Sequence, residues 1–82
     1  MASYQLSDHA KQMMVERCIE ESWVSEVIGR PERTETFPDG TVHFIGAIPE
    51  YEGRFLRIIV NPCKNPRKVI TLFFDRRLGR KP

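Results

Sequence analysis

Val69-Ile70-Thr71-Leu72-Phe73-Phe74-Asp75-Arg76-Arg77 is the strongest strand signal in the chain: β-branched and aromatic residues dominate it, and no glycine or proline interrupts it. Apolar residues on both alternating faces predict a central strand covered at least partly on each side, since an edge strand normally shows one polar face. The stretch runs directly into Asp75-Arg76-Arg77. A strand that delivers a carboxylate and two guanidiniums to one end of a sheet either ends there in solvent or lines an anion site.

Upstream, Asn61-Pro62 and Asn65-Pro66 mark a connection, preceded by a strand over residues 54–60 in which Leu56, Ile58 and Val60 alternate with Phe55, Arg57 and Ile59. Residues 49–53 turn the chain. Residues 41–48 alternate Val42, Phe44, Gly46 and Ile48 with Thr41, His43, Ile45 and Ala47. Pro38-Asp39-Gly40 is a turn, because proline presets φ and glycine tolerates positive φ, and residues 32–37 read as a polar edge strand. With connections this short, neighbouring strands are expected to be antiparallel.

Two helices precede the strands. Ser7 is a good N-cap with Asp8 in the first turn, so a helix is expected over residues 8–17, and a second over 21–28 that Gly29 and Pro31 end. Ala10, Met13, Met14 and Cys18 form one apolar arc on the first, and Trp23, Val24, Val27 and Ile28 on the second. Arg17 falls inside the first arc. A charge there calls for a partner, and Asp75 and Glu50 are the carboxylates expected to pair with it. The fold predicted is α+β, two N-terminal helices packed on one face of a four-stranded antiparallel sheet, with residues 1–82 as a single domain. Trp23, Val27, Ile28, Met14, Leu56, Ile58, Leu72 and Phe74 are its expected core, and truncating a fully buried Phe74 would cost about 3 to 5 kcal/mol.

With 82 residues there is room for one thin core, because a chain this size buries only about 60% of its unfolded surface. A hydrophobic content of 40% with five Phe, two Tyr and one Trp argues for a folded chain and against disorder. No apolar run approaches the roughly 20 residues of a membrane helix, and residues 1–8 lack the basic and apolar segments of a signal peptide, so a cytoplasmic setting with no membrane partner is expected. Cys18 and Cys63 are expected as free thiols. Together with His9 and His43 they show no paired metal-ligand spacing, so neither a metal nor another cofactor is expected.

The net charge of +2 is unevenly spread. Residues 1–53 carry four basic residues against ten acidic ones, net −6, and residues 54–82 carry nine against Asp75 alone, net +8. Such asymmetry fits either a footprint for phosphate or two halves that neutralise each other across their contact. If the purely apolar strand faces meet the helices, then His43, Arg57, Thr71, Phe73, Asp75 and Arg77 share the opposite, open face. Guanidiniums there hold phosphates, aromatic rings stack on unpaired bases, and an imidazole moves protons. Arg76, Arg77, Arg80 and Lys81 would extend this as one positive patch.

Ser7-Asp8-His9-Ala10 through Glu16-Arg17-Cys18-Ile19, Trp23-Val24 with Pro31 after the second helix, and Phe73-Phe74-Asp75-Arg76-Arg77 resemble a widespread family of small bacterial and archaeal domains of unknown function. That family is related to BrnT and, more distantly, to RelE and ParE toxins. Its helix pattern, His-Ala-x-x-Arg-Met-x-x-Arg-Gly-Ile, is matched by His9, Ala10, Met14, Arg17 and Ile19, while Met13 stands in place of the first Arg and Cys18 in place of Gly. The resemblance implies a RelE/BrnT-like fold, a cytoplasmic prokaryotic setting and, for the better-understood relatives, a ribonuclease-type toxin paired with an antitoxin.

Two functions are therefore expected to compete. The first is a metal-independent endoribonuclease or RNA-binding domain of toxin-antitoxin type, with His9, His43 and Arg17 as catalytic candidates and Arg57, Asp75, Arg76 and Arg77 as substrate-binding ones. The second is a non-catalytic interaction module that docks an acidic protein such as an antitoxin. Catalysis requires a histidine within a phosphate's reach of two arginine heads, and protein docking does not.

Overall fold

The three long strands beyond the helices each have one apolar set of alternate residues, and the sheet they join is larger than expected. The computed structural model describes residues 4–79. The chain runs β1 (Tyr4–Leu6), α1 (Asp8–Glu16), α2 (Glu21–Gly29), β2 (Arg33–Thr36), β3 (Val42–Ile48), β4 (Arg54–Asn61) and β5 (Arg67–Phe74), with 3-10 turns at Pro49–Tyr51 and Arg76–Leu78. The sheet has five strands in the order β1-β5-β4-β3-β2 and is mixed, in place of the four antiparallel strands expected. β2 to β5 pair antiparallel as their short connections require, but β1 adds to the outer side of β5 in parallel, with Tyr4 opposite Arg67 and Leu6 opposite Val69. The short-connection rule did not apply to this pair, because two helices and three strands separate them in the chain. β5 is thus an internal strand, as its two apolar faces predict.

Ser7 ties α1 to the sheet. Its Oγ accepts from Ala10 N at 3.0 Å as the N-cap and donates to the Ile70 carbonyl at 2.8 Å, while its N–H donates to the Val69 carbonyl at 3.0 Å. The helix closes in a Schellman arrangement: Ile19 N–H reaches the Met14 carbonyl at 2.9 Å and Cys18 N–H the Val15 carbonyl at 3.4 Å. Cys18 occupies the left-handed position of that motif with φ 54°, where glycine is at ease and a side chain is strained. Cys18→Gly is therefore expected to stabilise the fold by about 1 kcal/mol, less some of the flexibility glycine adds to the unfolded chain. A melting curve unmoved or lowered by that substitution would count against the strain. α2 ends one residue later than expected, with Gly29 still helical and Arg30 as its cap.

The core lies between the helices and one sheet face. Trp23, Val27, Ile28, Leu56, Ile58 and Leu72 are buried in it, whereas Met14 and Phe74 are only half-buried against it. Gly46 faces this core, and a Cβ there would meet Val27 Cγ2 at 3.3 Å, so glycine lets α2 lie close on β3. A bulge between β4 and β5 pairs Ile59 with Thr71 but Val60 with Val69, leaving Ile70 as the extra residue. Val69 and Leu72, three apart, both turn inward as a result, and both are fully buried. Among the described residues no helix is long and apolar enough to cross a membrane.

Candidate functional site

The hairpin register decides which polar groups meet on the face away from the helices. Phe37 N–H donates to the Thr41 carbonyl at 3.0 Å across the Pro38-Asp39-Gly40 turn, and this sets Glu35 opposite His43. On the next strands Arg57 pairs with Ile45 on one side and Phe73 on the other. The parity expected for His43, Arg57, Thr71 and Phe73 therefore holds. Asp75 and Arg77 join them by a different route. β5 stops at Phe74, Asp75 N–H donates to the Phe55 carbonyl at 2.9 Å, and Asp75 caps the 3-10 turn by accepting from Arg77 N–H at 3.0 Å. The turn at Arg76–Leu78 covers part of the face expected to be open, and Ile45, Arg57 and Asp75 are all buried there.

Arg57, 5% exposed, is the hub. Its Nε donates to Asp75 Oδ2 at 2.7 Å and its Nη1 to Glu35 Oε1 at 3.1 Å. Nη1 also lies 2.9 Å from His43 Nδ1. A guanidinium can only donate, so Nδ1 accepts and the ring proton resides on Nε2. Arg77 approaches from the outside: its Nε donates to Asp75 Oδ1 and its Nη2 to Oδ2, both at 3.1 Å. Its side chain stays 80% exposed. The Phe37 ring tilts over His43 with centroids 4.0 Å apart. Phe37, His43, Phe73 and Arg77 surround a depression of about 380 Å³, with Glu35, Arg57 and Asp75 in its lining.

The charges set the protonation states. Arg77, then Arg57, hold the Asp75 carboxyl far below the usual carboxylate range against the cost of burial. The hydrogen bond from Arg57 likewise lowers Glu35. Burial and then the Arg57 charge lower His43, opposed by Glu35 and Asp39.

The remaining candidates separate. Arg17 is exposed and has no carboxylate partner among the described residues; its Nη1 donates to the Leu72 carbonyl at 3.2 Å and to Met13 Sδ at 2.9 Å. The expected pairing with Asp75 or Glu50 does not form, because Arg57 and Arg77 already occupy Asp75. Arg76 points away from Arg77 and lines a second groove with Arg17 and Arg54. Adjacent residues in a 3-10 turn diverge by about 120°. His9 is exposed in the first turn of α1 and lines neither depression. Arg80 and Lys81, expected in the same positive patch, lie outside the described residues. Glu35, Phe37 and Arg54 were not foreseen as site residues. The first two were within reach of the sequence, since following the register out from the turn places Glu35 beside His43.

Residues 6–74 match the family described as Domain of unknown function (DUF4258). The chain belongs to that family. No curated protein and no solved structure matches it at a significant level. In this DUF4258 domain the matched segment ends at Phe74, so the carboxylate and guanidinium that complete the His43 cluster follow directly after it.

The lowered affinity of His43 for a proton has a signed consequence for the domain. The folded state binds that proton more weakly than the unfolded chain, whose imidazole titrates near the ordinary value of about 6.5. The stability His43 contributes is therefore present above that value and lost as pH falls through its lower folded value. Nitrogen-15 NMR of the imidazole should show the Nε2–H tautomer at neutral pH and a midpoint below 6.5, and a midpoint at or above 6.5 would contradict the Arg57 contact.

Proposed function

We propose that this protein is a toxin-like RNA-binding domain that takes the phosphodiester of a single strand on the His43 face. One observation carries the reading: Arg77 is held along its Nε–Nη2 edge by both oxygens of Asp75 yet stays largely exposed, in one depression with His43 Nε2–H and the rings of Phe37 and Phe73. A guanidinium oriented by a carboxylate is pre-organised for a phosphate oxygen, the imidazole N–H supplies a second donor, and the rings offer stacking surface to unpaired bases. The resemblance of its helix pattern to a family related to BrnT and, more distantly, to RelE and ParE toxins points in the same direction.

His43 serves here as a donor. Its Nδ1 lone pair is engaged by Arg57, so it is not placed to take the proton of a ribose hydroxyl. Binding to a short single-stranded RNA, followed by fluorescence anisotropy at about 50 mM salt, should weaken by about 0.7 log units per log unit of salt for each phosphate neutralised. Arg77→Ala should lower that slope by about one phosphate. No measurable affinity at about 50 mM salt would overturn the reading, and tight binding to an acidic protein that unrelated RNA does not displace would replace it with the interaction module. Incubation with total RNA tests the ribonuclease reading alongside: cleavage lost on His43→Ala would show that the ring takes part in the reaction and does more than bind.

A further inference from the structure

The open-face cluster provides a carboxylate for each arginine it holds: Arg33 and Arg57 have Glu35, and Arg57 and Arg77 have Asp75. The groove on the other side of the β5 end does not. Arg17 from the end of α1, Arg54 from the start of β4 and Arg76 from the 3-10 turn all line one groove of about 530 Å³, and among the described residues that line it Glu16 is the single carboxylate. Arg17 spends its head on a carbonyl and a thioether. Arg76 has no carboxylate partner among the described residues. Arg54 lies over the Tyr51 ring, 5.0 Å from its centroid, and reaches a carboxylate only at 3.8 Å, that of Glu52. Its Nε is buried with no hydrogen-bond partner.

We infer that this groove is a second, separate oxyanion site that binds the phosphate group of a phosphate ester. Three guanidiniums gathered from three elements around one groove repel one another, and one tetrahedral oxyanion among their exposed heads removes that penalty. The Tyr51 and Phe74 rings lie tilted with centroids 4.7 Å apart, and Tyr51 carries the Arg54 head on its ring, so the cation is oriented before a ligand arrives. The inference does not rest on the RNA reading. A small phosphate ester and a phosphate of an RNA backbone present the same chemistry, and if RNA occupies the His43 face, Phe73, which lines both depressions, makes the groove the next station along the strand.

The test follows the arginine Nε–H signals of the full-length protein by nitrogen-15 NMR during titration with inorganic phosphate, with a 5′-mononucleotide, and with a short single-stranded RNA. The signals of Arg17, Arg54 and Arg76 should shift together in at least one arm. Shifts with phosphate or the mononucleotide identify a small ester as sufficient, and shifts with RNA alone identify the backbone as the source. Arg76→Gln should weaken the binding about tenfold, the loss of one charge-assisted hydrogen bond, while Lys11→Gln, which removes the same charge from an exposed position on α1, should leave it within about twofold. Melting curves of both variants confirm that they fold. If none of the three probes moves these signals, or if Lys11→Gln weakens binding as much as Arg76→Gln, the groove is not a site. Shifts at Arg77 and His43 without shifts in the groove would overturn this inference and leave the RNA reading standing.

Discussion

Asp75→Ala is expected to destabilise the domain by about 3 to 5 kcal/mol, because it removes one partner of a buried ion pair and leaves the other charged. Asp75 is 3% exposed and Arg57 5% exposed, and their contact at 2.7 Å is the shortest in the cluster. After truncation the Arg57 guanidinium keeps only Glu35, on the rim, and the neutral His43 ring. The 3-10 turn also loses its cap, since Asp75 Oδ1 accepts from Arg77 N–H. A small domain has only about 5 to 15 kcal/mol in total, so much of the population would unfold at modest denaturant. Asp75→Asn should lie between, as it keeps an acceptor for the turn but loses the charge. Urea melts would measure all three proteins, and an Asp75→Ala stability within about 1 kcal/mol of wild type would mean that the buried network is not what holds the chain end down. The pH dependence has a definite sign. Asp75 binds its proton far more weakly folded than unfolded, so its contribution is intact above the ordinary carboxylate value of about 3.9 and falls away as the solution is acidified below it.

Leu72→Ala should cost about 2 to 5 kcal/mol, the combined loss of transfer energy and the cavity left behind. Leu72 is fully buried on the helix side of β5, opposite Ile58. Phe74, two residues on, would cost about 3 to 5 kcal/mol if fully buried, but it is half-buried against Trp23 and Tyr51 at the groove, and its loss should be smaller because burial is incomplete. Thermal melts that rank Phe74→Ala as more damaging than Leu72→Ala would show that the core is centred nearer the groove than the burial indicates.

Local signals determined much of this protein. Ser7 marks the start of α1, Pro38-Asp39-Gly40 marks the hairpin, and alternation along β3, β4 and β5 places His43, Arg57, Thr71 and Phe73 on one face. These features depend on the conformational preferences of a few adjacent residues and on a strand period of two, both of which are written in the chain. The position of Cys18 was flagged by the resemblance alone, whose helix pattern has glycine there, and the structure gives it a positive φ.

Tertiary structure decided the rest. The three residues of β1 are too few to show a period, and their partner lies more than sixty residues away, so only packing reveals the parallel pair. The bulge at Ile70 shifts the alternation within β5 by one residue, which no local pattern announces. Above all, Asp75-Arg76-Arg77 reads as a strand end, either in solvent or at an anion site, yet it bends into a turn that buries Asp75 and sends the two arginines to different depressions. An arginine takes whichever acceptor the folded surface brings within about 3 Å, so the separation of Arg17 from Asp75, the pairing of Arg57 with it, and the gathering of Arg17, Arg54 and Arg76 in one groove are properties of the assembled sheet end, not of the residues that compose it.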